Sequence, residues 1–328
     1  MQRPMILVIV LLLVSLAGCV TPGIPSDQPK LVSTFQPTTL APTKTILSPT
    51  DTLAATPTVA AISGPWKLLH QVDVHFNANI AGFVDDNHGI VVGDGGVVHY
   101  TLDGGKTWPE AQNSSLCRYA LDILDENTAL HCGNSGSLGL STDGGKTWQK
   151  IGEFGGMEPD QCLHVSFLDP NTGWSATATD LGATMDGGKT WNKLTLPKGL
   201  RRSIMGIFLR TADDGYLVDS KGTLWITGDG GKSWSSRALD LKENESFLSS
   251  APNTAVHFYD AQRGMLVAIL MNKGQKSVVA LHTRDGGQSW QREQIPGLNW
   301  AAFFLAPDGA TLTATLTDMQ ITVWRYQN

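Results

Sequence analysis

Five aspartates stand at matching places in five copies of one eight-residue pattern, and a row of carboxylates is what this chain most visibly offers for chemistry. The copies are Thr101–Trp108, Ser141–Trp148, Thr184–Trp191, Thr227–Trp234 and Thr283–Trp290, each reading [Ser/Thr]-x-Asp-Gly-Gly-[Lys/Gln]-[Thr/Ser]-Trp. Asp103, Asp143, Asp186, Asp229 and Asp285 are spaced by 40, 43, 43 and 56 residues. Carboxylates in register could act as general acids or calcium ligands. Their neighbours point elsewhere. Asp-Gly-Gly between two β-like runs is a turn, in which glycine supplies positive φ and the carboxylate accepts amides that the turn leaves unpaired. The Thr or Ser four residues on adds a second local bond, and the Trp opens the next strand with a large apolar surface to bury. The five aspartates are therefore read as turn staples, not as catalytic or metal-binding groups.

Other sets of reactive residues are sparse. The eight histidines include no His-x-His or His-Glu-x-x-His spacing, so no metal or cofactor is expected. His164 and His257 fall on equivalent strands but at different distances from the turns that follow, and are read as ordinary histidines rather than parts of one ring. Glu110, Glu126, Glu153, Glu158, Glu243, Glu245 and Glu293 are the glutamates of the mature region, and their positions form no obvious acid–base pair. Three cysteines besides Cys19 remain: Cys117, Cys132 and Cys162. Cys117 and Cys162 lie at similar offsets before successive turns and could pair across neighbouring repeats; three separate thiols are the alternative.

A period near 40 residues means one supersecondary unit used several times. Upstream of the first box, Phe83-Val84-Asp85, Gly89–Gly93 and Val97–Tyr100 read as the end of a strand A, a strand B and a strand C; the box and a strand D follow. Trp66-Lys67-Leu68-Leu69 resembles a strand D with nothing before it. Ala301–Leu305, Thr311–Leu316 and Ile321–Tyr326 resemble strands A, B and C with no box after them. The chain is thus expected to be all-β, a single β-propeller of six four-stranded blades, closed by an N-terminal strand that completes the last blade. Seven blades is the alternative and would need roughly forty more residues. Leu239–Asn253, inside the longest interval, is read as an enlarged loop.

Residues 1–18 read as a signal peptide, with Arg3 ahead of the apolar run Ile6–Leu13, which is too short to span a bilayer. Leu16-Ala17-Gly18-Cys19 matches a bacterial lipobox, so Cys19 is the expected lipidation site and membrane anchor. Residues 19–64 are rich in Thr, Pro, Ser and Ala and cannot bury enough apolar area to fold. As a flexible coil this tether would reach on the order of 35–40 Å. The propeller then occupies residues 65–328, and the protein is expected to be extracytoplasmic, held to a bacterial membrane or cell surface, and monomeric. A net charge of −6 argues against nucleic-acid binding.

The repeats resemble the Asp-box, or BNR, motif of β-propeller proteins. Sialidases with such boxes also need an Arg-Ile-Pro segment ahead of the first box. Here no arginine lies between Arg3 and Arg118 and no Arg-Ile-Pro occurs. Xyloglucan-cleaving relatives are built from two propellers. Residues Phe83–Trp108, and more loosely Phe167–Trp191, are similar to the photosystem II assembly and stability factor family, with its Phe-x-Asp, Gly-x-x-Val-Gly-x-x-Gly and Thr-x-Asp-Gly-Gly-x-Thr-Trp sequence. That resemblance implies a scaffold that binds a membrane-protein partner without catalysis or cofactor; a glycan-binding or glycoside-hydrolase propeller is the alternative. Propellers of this kind meet partners on the face opposite the boxes. His75, Arg118, Arg201, Arg202 and Trp300, with the loop Asn272–Lys276, are the candidates for that face, the arginines being suited to carboxylates on a protein partner.

Overall fold

The computed structural model describes residues 65–327 except 114–116, 134–135, 155–161, 201–202, 249–253, 296, 299–300 and 318; the backbone alone is described for Asp94, Cys117, Arg118 and Tyr119. The signal peptide, Cys19 and the tether lie outside these residues.

Strand β1 is Trp66–Asp73. Blade one follows as β2 (Ala78–Phe83), β3 (Gly89–Gly93) and β4 (Val98–Thr101). Blade two is β5 (Cys117–Ile123), β6 (Ala129–Gly133), β7 (Ser137–Ser141) and β8 (Gln149–Glu153). Blade three is β9 (His164–Phe167), β10 (Gly173–Ala176), β11 (Leu181–Thr184) and β12 (Asn192–Lys193). Blade four is β13 (Ile204–Leu209), β14 (Gly215–Asp219), β15 (Thr223–Thr227) and β16 (Ser235–Ala238). After β17 (Glu245–Phe247), blade five has β18 (Thr254–Phe258), β19 (Gly264–Asn272), β20 (Gln275–Thr283) and β21 (Gln291–Gln294). Blade six has β22 (Ala301–Leu305), β23 (Thr311–Leu316) and β24 (Gln320–Tyr326).

The first strand of each blade touches the first strands of its neighbours in the unbroken circle β2–β5–β9–β13–β18–β22–β2. That circle fixes the count at six blades. Closure comes from β1, which pairs antiparallel with β24 from Trp66 opposite Tyr326 to Asp73 opposite Gln320. Buried apolar side chains divide into six clusters, one at each seam between blades; for example, Trp174, Leu181, Ile207 and Trp225 fill the seam of blades three and four. The core is therefore six contacts between sheet faces, each some 10 Å thick.

Two blades depart from the expected four strands. In blade one the outer position is a single bridge, His99 to Glu110, flanked by bonds from Tyr100 N to Pro109 O (3.1 Å) and Ala111 N to Val98 O (2.8 Å). Pro109 follows the box tryptophan and has no N–H to extend the ladder. In blade five, the region Leu239–Asn253 is not wholly a loop, because β17 within it pairs with the far end of β19. Arg292 on β21 clamps this addition, with both Nη atoms 2.7 Å from the Glu245 carboxylate. The segment Asn272–Lys276 is the tip of the long β19–β20 hairpin, turning at Lys273 and Gly274.

All five boxes form the same network. In the first, Thr101 Oγ1 donates to Asp103 Oδ1 (2.8 Å) and accepts from Gly105 N (2.8 Å). Thr107 donates through its N–H to Asp103 Oδ1 (3.0 Å) and through Oγ1 to Oδ2 (2.7 Å). The first box glycine reaches back to the A–B turn of its own blade, as in Gly104 N to Asn87 O (3.0 Å) and Gly230 N to Asp213 O (2.8 Å). The second glycine, at φ between 80° and 88°, packs against the preceding blade: a Cβ on Gly231 would meet Leu194 at 2.8 Å, and one on Gly287 would meet Leu224 at 2.8 Å. Each box thus ties two turns of one blade together and seats them on the preceding blade. Boxes and A–B turns share one face of the ring; B–C turns and D–A connections share the other.

These bonds hold the box carboxyls below their ordinary range. Bonds from Thr107 and Thr101 bring Asp103 to about 2, Thr190 and Thr184 do so for Asp186, and Ser233 and Thr227 for Asp229. Asp285 is lowered likewise by Ser289 and Thr283. At Asp143 burial pushes upward, yet the bonds from Thr147 and Ser141 still leave it lowered. A carboxyl lowered in the fold contributes stability that is complete above its unfolded value of 3.8 and is lost as pH falls toward about 2. Denaturant unfolding followed between pH 5 and pH 2 should therefore show stability falling across this window, with a shallower fall in Asp229→Asn; an unchanged slope in that variant would remove the boxes as its cause.

The cysteines pair differently from expectation. Cys132 on β6 is bonded to Cys162, just ahead of β9, with Cα atoms 5.8 Å apart, so neither the Cys117–Cys162 bridge nor three free thiols applies. The bridge staples blade two to blade three. For a closure of 30 residues the chain-entropy model gives about 3–4 kcal/mol. Disulfide mapping should recover a Cys132–Cys162 peptide, and Cys132→Ser with Cys162→Ser should lower unfolding stability by about 3 kcal/mol.

Candidate functional site

The six inner strands enclose an axial channel of about 280 Å³, lined by residues from every blade. An inner strand is an edge strand, with unpaired amides on its channel side. Side chains of the preceding blade satisfy several of them. Phe83 N donates to Thr313 Oγ1 (3.0 Å), Phe167 N to Asp122 Oδ2 (2.7 Å) and Leu209 N to Ser166 Oγ (2.9 Å). The polar groups of the wall thereby hold neighbouring blades in register.

Asp122 is the carboxylate among the described residues lining the channel. Burial pushes its carboxyl up to about 7, outweighing the amide bond from Phe167. His164 and His257 line the same channel, and burial brings both imidazoles down to about 4. His257 packs against Phe208 at 4.5 Å and Tyr259 at 5.2 Å. Near neutral pH the wall therefore carries two neutral imidazoles and a carboxyl poised at its titration point. Glycoside hydrolysis needs two carboxyls about 5–10 Å apart. The lining offers one among the described residues. No group of three or more His, Cys, Asp or Glu among those residues is placed to hold a metal ion.

Of the expected partner-binding residues, His75 is exposed on the bend between β1 and β2, a D–A connection. Arg118 belongs to β5, whose backbone alone is described at that point, and Arg201, Arg202 and Trp300 lie outside the described residues. No described contact joins these five. Sequence reading missed Asp122, although an acid between Leu121 and Ile123 in an apolar inner strand was a usable signal. It also missed Asp219, 1% exposed, which accepts from Trp225 Nε1 (2.9 Å) and caps the B–C turn of blade four through Lys221 N and Thr223 N.

The model of the family "Photosynthesis system II assembly factor YCF48" matches residues 189–317, and the BNR/Asp-box repeat model matches 140–150. This chain is an Asp-box propeller resembling the photosystem II assembly factors. The "Photosystem II assembly lipoprotein Ycf48" of Synechococcus sp. (strain CC9902) is 29% identical over 106 residues, 31% of this chain; the match spans 28% of that protein's length. Among solved structures, YCF48 bound to D1 peptide matches 84% of this Asp-box propeller and 100% of its own chain, at TM-score 0.52 and 16% identity. U3-55K matches 79% and 98%, at 0.55 and 8% identity. The GH74 enzyme of Niastella koreensis matches 75% and 45%, at 0.50 and 14% identity. At these identities the structural likenesses to the Asp-box propeller speak for its fold alone.

A carboxyl raised from 3.8 to about 7 lowers stability as pH climbs between those values, because the unfolded chain ionises first. Asp122→Asn keeps an oxygen for Phe167 N–H and removes that titration. Unfolding midpoints should be equal to the parent's at pH 4 and higher than the parent's at pH 7.5; a variant no more stable at pH 7.5 would contradict the neutral acid.

Proposed function

We propose that this propeller is a non-catalytic scaffold, anchored through lipid on Cys19 outside the cytoplasm, which holds a protein partner against the face formed by its D–A and B–C connections. The observation that carries the reading is the likeness to photosystem II assembly factors, one of which is named a lipoprotein and one of which is solved with a bound D1 peptide. Among the described residues the channel lining offers one carboxylate, where glycoside hydrolysis uses a pair. His75, Arg118, Arg201, Arg202 and Trp300 are the proposed contacts, with the arginines meeting carboxylates of the partner.

Crosslinking on intact cells, followed by identification of the captured protein, tests this directly. Arg118→Glu with Arg201→Glu and Arg202→Glu should lower capture at least about tenfold, the loss expected from removing one or more charge-assisted bonds. Cys19→Ser should shift the protein from membrane to soluble fractions. Failure to capture any protein with the parent chain would count against the scaffold.

A further inference from the structure

Five seams of the ring are bridged on the box face by a box, and the seam between blades five and six is not. Blade six ends its third strand at Tyr326 and takes its fourth from β1, with Gln327 N bonded to Pro65 O (2.7 Å) where a box would turn. The interruption leaves a cleft of about 620 Å³ between Tyr259 to Gly264 of blade five, His282 to Arg284, Gln291 and Tyr326. That volume lies within the range of small-ligand sites.

The walls of the cleft are pinned in place. Tyr259, 39% exposed, donates its hydroxyl to Gly309 O (2.6 Å). Tyr326 stacks on His282 with centroids 4.3 Å apart, and Trp66 packs against Tyr326 from behind at 5.3 Å. Arg263 is fixed through Nε to Asp260 (2.7 Å), and the other Asp260 oxygen accepts the amides of Gln262 and Arg263. Asp260 therefore neutralises Arg263 and has its acceptors engaged, while exposed Arg284 adds a positive charge to the rim. Glu293 stands behind His282, 3.5 Å from Nε2, and does not line the cleft. The result is two aromatic walls, a donor-rich rim of arginines and two exposed amide side chains, Gln262 and Gln291.

We infer that this cleft binds a saccharide carrying a carboxylate, its ring on Tyr259, its carboxylate at Arg284 and its hydroxyls at Gln262 and Gln291. Aromatic faces suit the C–H faces of a pyranose, amides donate to and accept from hydroxyls, and guanidinium matches carboxylate geometry. Rigid walls reduce the ordering cost of binding. The cleft is on the box face, so the assignment stands or falls independently of partner binding on the other face.

Calorimetric titration of the full propeller with trigalacturonate tests it, alongside neutral cellotriose and the acidic peptide triglutamate. Saturable binding of trigalacturonate is expected, weakened at least about tenfold by Arg284→Ala and measurably by Gln291→Ala, both exposed positions whose variants should melt like the parent. Absence of saturable trigalacturonate binding, or binding indifferent to Arg284→Ala, overturns the site. Equal affinity for cellotriose would remove the carboxylate from the assignment, and equal affinity for triglutamate would remove the sugar; either result overturns it.

Discussion

Every seam of this ring depends on the antiparallel pairing of β1 with β24. A propeller blade is hydrophobic on both faces and is stable only between two neighbours. An open ring would leave two terminal blades each with one wetted face, exposing Val72, Ala81, Phe83 and Val91 on one side and Ile321 and Val323 on the other. The ladder from Trp66 to Asp73 prevents this by making the first strand part of the last blade. Closure is a constraint satisfied once, by backbone bonds, and all six apolar seams share in its effect.

Within that closed frame, polar groups do local work of two kinds. On one face, the boxes tie turns of a blade to each other and lean on the preceding blade, with carboxylates that stay ionised. On the axis, Thr313, Asp122 and Ser166 accept amides across seams, and desolvation raises the carboxyl of the acid among them to about 7. The same residue type thus titrates in opposite directions: a half-buried box aspartate surrounded by donors is held charged, and a channel aspartate with fewer donors titrates near neutral pH. Neither arrangement calls for a substrate.

Much of the architecture was legible in the sequence because it is repeated. The boxes mark five third-to-fourth-strand turns by residue type, and Trp66 is recognisable as an orphan fourth strand by analogy with Trp148. What the repeat does not contain could not be read from it. Pro109 removes a strand in one blade only, and β17 exists because β19 and β20 are long enough to offer it an edge. The disulfide partner of Cys162 depends on how blade two is rotated against blade three, which offsets from turns do not reveal. Asp122 is legible as an oddity, an acid in an apolar strand, but its amide partner 45 residues away is a tertiary fact. Candidate partner-facing arginines were chosen by position in the repeat, and position alone says little about which side chains meet.

The pairing that closes the ring also sets an order of events. β1 leaves the ribosome before any other strand described here, yet its hydrogen-bonding partner, β24, is the last of the described strands to be made. Until then its ladder groups have no intramolecular mate, and an unpaired strand is a template for pairing with other chains. Such distant contacts also make for slow folding. Exposed Lys67, Gln71 and Asp73 interrupt its apolar residues while it waits, a composition that discourages wrong partners during synthesis. The first described strand is thus built to tolerate delay.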